Sequence, residues 1–413
     1  MDYIDIDDKW LVPHFEKMLY DQALMVVVYI EAYQVTKEEV YRETAQEILE
    51  YVKRDMLDKN GAFYCAEDAD SEGEEGKFYL WTEEEIDSIL VEKSDYMKNY
   101  YGIRKDGNYL DESTREKTGN NILYLDNEEK LVMIDKKNIN EFRELLFRER
   151  EKRVRPSLDD KILTDWNGLM ISAFAMAGRV FENQEYIDIA KKACSFILHS
   201  IKENNGLMHR YGKGKWDIKG HLDDYVFLIT SLIELYEVTF DENYIKEATQ
   251  LTRKCIELFW DHDRAGFYFT SIEGEQLLVR KKEIYDGAIP SGNSVMLLNL
   301  LKLSGLTDNE DLSQKASEML SYFVDEVKEY PSGYTQMLCG YYYAFGNSGE
   351  ITIEGDLNDT ATKEMIKSVY QEYLPNIILK LRKSSDKPKA TLCLNRTCSD
   401  PASSINELLQ RLV

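Results

Sequence analysis

The chain has 413 residues, 43% hydrophobic and 31% charged, with a formal net charge of −25. It is longer than a typical domain of roughly 100–200 residues, and its balance is that of a folded chain. A surface this acidic repels phosphate backbones and anionic headgroups, so neither nucleic acid nor a membrane surface is an expected partner.

Six cysteines (Cys65, Cys194, Cys255, Cys339, Cys393 and Cys398) are too few for a disulfide scaffold in a chain of this length. No apolar run nears the ~20 residues that span a membrane. The acidic opening, Met1 to Asp8, lacks the form of a signal peptide. A reducing, cytoplasmic setting is the expectation.

In chain order, the first notable segment is Trp10 to Asp21, which crowds His14, Glu16, Lys17, Tyr20 and Asp21 ahead of an apolar helix predicted over 21–36. His14, Lys17 and Asp21 are at three-four spacing and can share a helix face. An imidazole beside a carboxylate suits proton transfer near neutral pH. The alternative is that His14 caps the helix and is satisfied by backbone. An amphipathic helix over 40–57 follows, and Gly61 to Tyr64 closes the unit.

The next segment, Cys65 to Trp81, carries Glu67, Asp68, Asp70 and Glu72 among Phe78, Tyr79 and Trp81. It starts like a calcium loop, but Tyr79 stands at the twelfth position, where a bidentate Glu is required. A solvated acidic turn is one reading. Acids interleaved with aromatic rings also suit a sugar, whose hydroxyls take hydrogen bonds and whose apolar faces stack. Residues 82–160 then break the pattern and read as an excursion carrying one or two helices.

The opening pattern returns three times. All-round apolar helices begin at Trp166, Asp223 and Ser291, each followed by an amphipathic helix, at 186–201, 242–260 and 312–327. Gly206 and Gly266 open the closing hairpins of the first two, and a further apolar helix covers 335–345. Apolar helices must be buried, whereas amphipathic ones lie at a surface. Alternation of the two predicts an inner ring inside an outer ring, an all-α toroid over 1–349. An open α-solenoid is the other arrangement. Residues 350–413 read as a small α/β appendage, with strands at 351–355, 376–381 and 390–395 around a helix at 360–373.

Polar residues gather just ahead of the inner helices, where loops at one end of a ring would share an opening. Asp160, Trp166 and Asn167 precede or start one helix; Asp224 and Tyr225 start the next; Asp286 and Asn293 flank the last. One of Asp223 and Asp224 is expected to cap its helix and the other to face the ring. Ser291 lacks the flanking glycines of a nucleophile elbow and reads as a cap. Cys393 and Cys398 form a C-x4-C pair without further ligands nearby, which points to a structural or incidental role.

Five segments, Val12–Gln22, Ala66–Trp81, Asp159–Ile171, His221–Leu228 and Asp286–Val295, resemble the signature segments of the spermatogenesis-associated protein 20 family. The resemblance runs from about Trp10 to Cys398. It implies a six-hairpin, glycosidase-like (α/α)6 toroid related to the N-acylglucosamine 2-epimerase fold. It also implies an N-terminal thioredoxin-like domain and a first helical hairpin, neither of which this chain carries. The toroid is therefore expected to be incomplete at its N-terminus. The resemblance assigns no reaction.

The expected function is that of a carbohydrate-active enzyme, an epimerase or isomerase or a glycosidase-like hydrolase. The candidate catalytic residues are His14, Asp21, Asp68, Asp160 and Asp224, with His14 as acid or base. Glu16, Lys17, Glu67, Asp70, Trp81, Trp166, Asn167, Tyr225, Asp286 and Asn293 are the candidate substrate contacts. The alternative is a non-catalytic binding module that serves a thioredoxin-like domain or protein. Metals and cofactors are not expected, because a zinc site needs clustered Cys and His.

Overall fold

The computed structural model describes residues 11–110, 114, 116–125, 136–204, 206–274, 277–395 and 397–412. They form two compact units, one built from the chain up to Met18 together with Ala66–Asp159, the other from Leu19–Cys65 together with Asp160 onward.

The second unit is built from paired helices. They are α1 (Leu19–Thr36) with α2 (Glu39–Tyr51), α3 (Thr164–Val180) with α4 (Gln184–Asn204), α5 (Leu222–Thr239) with α6 (Glu242–Phe259), and α7 (Gly292–Thr307) with α8 (Glu310–Glu329). A fifth inner helix, α9 (Thr335–Phe345), follows. Each even-numbered helix packs on the helix before it, while α1, α3, α5, α7 and α9 pack side by side in that order. This is the layering of an (α/α)6-type toroid, with four complete pairs among the described residues.

The division between layers follows the sequence. Helix α5 buries Leu222, Tyr225, Val226, Phe227, Leu228, Ile229, Leu232, Ile233 and Leu235, which point all round its axis. Its partner α6 buries Ala248, Leu251, Thr252, Cys255, Leu258 and Phe259, a single stripe. Burial of a stripe on one helix and of a whole circumference on the next leaves a single way to stack them. Side-chain caps start two of the outer helices, where Asp241 accepts from the Asn243 N–H of α6 and Asn309 from the Asp311 N–H of α8.

One clamp recurs at the entry to two inner helices. The Asn167 amide accepts from Phe63 N–H at 2.8 Å and donates to the Phe63 and Leu163 carbonyls at 3.0 and 2.8 Å. The Asn293 amide accepts from Phe267 N–H at 2.8 Å and donates to the Phe267 and Glu283 carbonyls, both at 2.9 Å. In each case an inner helix holds the Gly-aromatic turn that closes an earlier helix pair, so backbone groups buried there are satisfied.

Toward the other end of the inner helices lies a buried charge network. Arg179 of α3 sits 2.9 Å from Glu234 and 2.7 Å from Glu237 of α5, and Lys302 of α7 is 3.8 Å from Glu234. Burial raises the carboxyl pKa of Glu31 on α1 and of Glu237, against the pull of these cations.

Residues 349–412 form the expected α/β appendage. Its strands are β4 (Gly349–Gly355), β5 (Ile377–Lys383), β6 (Lys389–Leu394) and β7 (Thr397–Cys398), and its helices are α10 (Thr360–Tyr370) and α11 (Ile405–Leu412); β1 (Ile162–Leu163), β2 (Met208–Gly212) and β3 (Lys215–Lys219) lie earlier in the chain. The sheet order is β5-β4-β6-β7, with β4 parallel to β5 and antiparallel to β6. Ile351, Ile353, Met365, Val369, Leu379 and Leu392 make its core. Cys393 and Cys398 face each other across β6 and β7 and are joined as a disulfide. Tyr370 of α10 donates to the Glu237 carbonyl and lies under the Arg179 guanidinium, 5.4 Å from ring centroid to cation.

The first unit is described separately. Lys17–Met18, Ala66–Glu67 and Leu158–Asp159 form a small antiparallel sheet with Ala66–Glu67 in the middle. Helices Glu83–Leu90, Ser94–Tyr100 and Lys136–Arg150 enclose Trp81, Ile86, Leu90, Met97, Phe142 and Leu146. A capping box between Thr82 and Glu85 starts the first of these helices. The excursion expected at 82–160 is thus part of a unit that also takes in the acidic segment from Ala66 and the residues before Leu19.

Candidate functional site

The N-termini of α3 and α5 bring several buried titratable side chains together. Glycine allows their approach: a Cβ at Gly168 would lie 2.7 Å from the Phe227 carbonyl carbon. The close contact brings Asp165 of α3 beside Asp223 and Asp224 of α5, in the first turns where helix dipoles favour negative charge.

A hairpin brings in an imidazole. Strand β1 (Ile162–Leu163) pairs with β2 (Met208–Gly212), which pairs with β3 (Lys215–Lys219). Thr164 Oγ1 donates to the Met208 carbonyl at 2.6 Å, which pins β2 to the entry of α3. His209 Nδ1 then lies 3.0 and 3.1 Å from the two carboxylate oxygens of Asp224. The same carboxylate accepts from the Asp165 N–H at 3.1 Å and from the His221 N–H at 2.7 Å. Asp224 is fully buried, so three N–H groups from three segments converge on one carboxylate that water does not reach.

These neighbours hold different protonation states. Burial first, and then the charge of Asp224, pushes the Asp165 carboxyl up to about 8. Burial, Asp224 and Glu283 push Asp223 up to about 7. At His209 burial acts downward, but the hydrogen bond and charge of Asp224 outweigh it and the imidazole rises to about 9. His221 is lowered, chiefly by burial. Near neutral pH the site therefore holds a neutral Asp165 carboxyl, a His209 imidazolium on Asp224, and a neutral His221 imidazole.

Aromatic rings flank this group. The two imidazoles are 5.2 Å apart between centroids, His221 stacks on Phe269 at 5.1 Å, and Trp166 meets Tyr20 edge-on at 4.8 Å. Among the described residues, ligand atoms of His209, His221 and Asp224 lie within 4.8 Å of one another, a donor set that could hold a metal ion. The three N–H groups already directed at Asp224 compete with that use.

The structure distributes the sequence candidates between the units. His14, Glu16, Lys17, Glu67, Asp68, Asp70 and Trp81 belong to the first unit, and the others to the second. His14, Glu16, Asp68 and Asp70 are exposed. Glu67 is buried, accepting from the Tyr79 hydroxyl at 2.7 Å and from Arg155 Nε at 2.9 Å. Lys17 lies over the Tyr79 ring at 4.0 Å, and burial lowers its ammonium to about 8 against the pull of Glu67. Trp81 is buried beneath the Arg153 guanidinium, 4.0 Å from the ring centroid.

In the second unit, Asp224 and Trp166 lie in the cluster, with Tyr225 buried beside them. Asp21 is half-buried at the start of α1, and Asp160 is exposed. Asn167 and Asn293 are the backbone clamps described above. Asp286 accepts from Ser291, Gln336 and Met337 N–H groups, tying the entries of α7 and α9 together. Reading the sequence for polar residues ahead of inner helices leaves out His209, which arrives on a hairpin after an outer helix. It also passes over Asp165 and His221 in favour of their neighbours, and of the pair Asp223 and Asp224 it carries forward only Asp224.

Similarity to known proteins runs along nearly the whole chain. It is 32% identical to human spermatogenesis-associated protein 20 over 465 aligned residues, 98% of this chain and 59% of that protein. The chain is related in sequence to spermatogenesis-associated protein 20. The rat protein of that name is 31% identical over the same share of this chain, and an uncharacterized Caenorhabditis elegans protein is 28% identical. The chain spans about three fifths of the length of these curated relatives. No family model matches it. Among solved structures, a sugar epimerase from a ruminal bacterium is similar at TM-score 0.48 and 10% identity, covering 77% of this chain and 62% of that one. A family 76 alpha-mannanase from Bacteroides thetaiotaomicron is similar at TM-score 0.47 and 10% identity, covering 99% and 90%.

Proposed function

We propose that the second unit is an acid–base enzyme acting on a sugar, and that its reaction is proton transfer at the carbon beside a carbonyl, as in an epimerase or isomerase. The observation that carries this reading is the pair of imidazoles, 5.2 Å apart between centroids, set around one buried carboxylate that binds only His209 by its ring. Neutral His221 takes the proton from carbon. His209, held as imidazolium by Asp224, gives its proton to the carbonyl oxygen, so an enediol forms without net charge. Return of both protons completes the cycle, and return to the other face or the neighbouring carbon gives the epimer or isomer. Groups with protonation states pushed apart are what such chemistry needs near pH 7.

The surroundings support a polyhydroxylated substrate. Neutral Asp165 can donate to hydroxyls as well as accept from them, and Asp223, raised to about 7, can do either. Trp166 and Phe269 offer ring faces for the apolar side of a sugar.

The test is deuterium exchange. A panel of reducing sugars incubated with the protein in D2O should lose the C2 proton signal, and His221→Gln and His209→Gln should each slow this by at least about 100-fold. Undiminished exchange in both variants would refute the reading. A second reading, glycoside hydrolysis with Asp165 as the acid, is favoured by that carboxyl's retained proton beside a second carboxyl group, Asp224. Release of new reducing ends without C2 exchange would support it instead.

A further inference from the structure

Lys17 is a half-buried amine in the first unit. It stands directly opposite Glu67 in the antiparallel pairing of Lys17–Met18 with Ala66–Glu67, so the two side chains rise from one face of that sheet. Tyr79 links them. Lys17 Nζ lies over the Tyr79 ring, 4.0 Å from its centroid, and the Tyr79 hydroxyl donates to Glu67 Oε1 at 2.7 Å. Phe15 stacks on the same ring at 5.8 Å, and its carbonyl accepts from Lys17 Nζ.

Two guanidinium groups share these surroundings. Arg155 Nε donates to Glu67 Oε2 at 2.9 Å, and the Arg150 guanidinium is 5.2 Å from the Tyr79 ring centroid. Three other half-buried lysines pair with acids: Lys282 is 2.6 Å from Asp261, Lys98 2.8 Å from Asp87 and Lys380 2.6 Å from Glu350. Lys17 has a ring face and a peptide carbonyl instead. Burial is the main cause of its fall to about 8; Arg150 and Arg155 add to the fall and Glu67 opposes it. A desolvated amine that gives up its proton this readily is a nucleophile toward carbonyl carbon.

We propose that Lys17 is an imine-forming site for a small carbonyl compound that carries its own anionic group, an aldehyde acid or keto acid. The amine nitrogen bonds to the carbonyl carbon, and one proton passes from nitrogen to the carbonyl oxygen. The C–O bond then breaks, the oxygen leaves as water with a second proton from nitrogen, and the C=N bond remains. No oxidant or reductant is consumed. The Tyr79 hydroxyl, which both donates and accepts, carries these protons while Glu67 orients it. The anionic group of the ligand offsets the positive charge that Arg150 and Arg155 place around the nitrogen.

Reductive trapping on the full chain tests this. Glyoxylate with cyanoborohydride leaves a carboxymethyl group on each lysine it reaches, and peptide mass spectrometry maps them. Near pH 7 an amine of pKa about 8 is neutral roughly 200 times more often than one at about 10.4. Lower basicity and partial burial take back part of this, so Lys17 should label at least about tenfold faster than the exposed Lys219 and Lys246. Its rate should level off above about pH 8 while theirs still climbs. Acetaldehyde, which is uncharged, should show at least about threefold less preference for Lys17. Tyr79→Phe keeps the ring and should slow trapping at least about tenfold with near-UV circular dichroism unchanged. Labelling of Lys17 no faster than Lys246, or with the same pH profile, would overturn the proposal, and neither result depends on a variant. Equal preference for acetaldehyde would overturn it too, and an unchanged rate in folded Tyr79→Phe would refute the proton route.

Discussion

Replacing Asp224 by Asn removes the charge that holds His209 as imidazolium and leaves the shape of the site nearly unchanged. The rise of His209 from 6.5 to about 9 is a factor of roughly 300 in proton affinity, or about 3 kcal/mol at ~1.36 kcal/mol per factor of ten. Burial acts in the opposite direction, so without the carboxylate His209 should titrate below 6.5. There is a structural cost as well. Asp224 accepts from Asp165 N–H at one oxygen and His221 N–H at the other, and an Asn amide presents its NH2 to one of them. That leaves a buried backbone donor unsatisfied, at about 1–3 kcal/mol. The assay is NMR titration of the histidine ring protons, of which the chain offers five sets. The wild type should show one imidazole titrating near 9, assigned by His209→Gln, and Asp224→Asn should move it below 6.5. An unmoved titration would refute the claim that Asp224 sets the charge of His209, and with it the assignment of His209 as the acid.

Asn293→Ala should lower stability by about 3–5 kcal/mol, because three hydrogen bonds to buried backbone groups are lost at once; urea unfolding measures it. Gly168→Ala should cost about 1–3 kcal/mol by pushing α3 from α5, and should shift the His209 titration because Asp165 and Asp224 separate. Stability itself should fall as pH rises. From about 4 up to about 7 and 8 the folded chain keeps protons on Asp223 and Asp165 that the unfolded chain has released, and His209 extends the decline from 6.5 to about 9. Urea midpoints at about pH 5, 7 and 9 should decrease in that order, and Asp165→Asn should flatten the trend.

The helices were legible because burial leaves a period in the sequence. The helix expected to begin at Asp223 runs over Leu222–Thr239, and that over 242–260 ends at Phe259. The strands of the appendage were visible as short β-branched runs, such as the one ending in β4 at Gly355. The site was less legible because its members come together through pairing rather than periodicity. His209 reaches Asp224 only because β2 pairs with β1, and no local pattern in Met208–Gly212 announces that register. Asn293 shows the converse limit: a polar residue at a helix entry suits a ligand and a backbone clamp equally well until the partner turn at Phe267 is in place.

The ion network of Arg179, Glu234, Glu237 and Lys302 bears on how the chain is made. Its positive and negative members emerge from the ribosome at different times, Arg179 first, the two glutamates more than fifty residues later, and Lys302 after another sixty-five. A nascent chain that stopped between them would have to bury an uncompensated charge to pack α3 or α5, and that is strongly disfavoured. Burial of the Arg179 guanidinium on α3 is therefore compensated only once Glu234 and Glu237 of α5 are present to receive it.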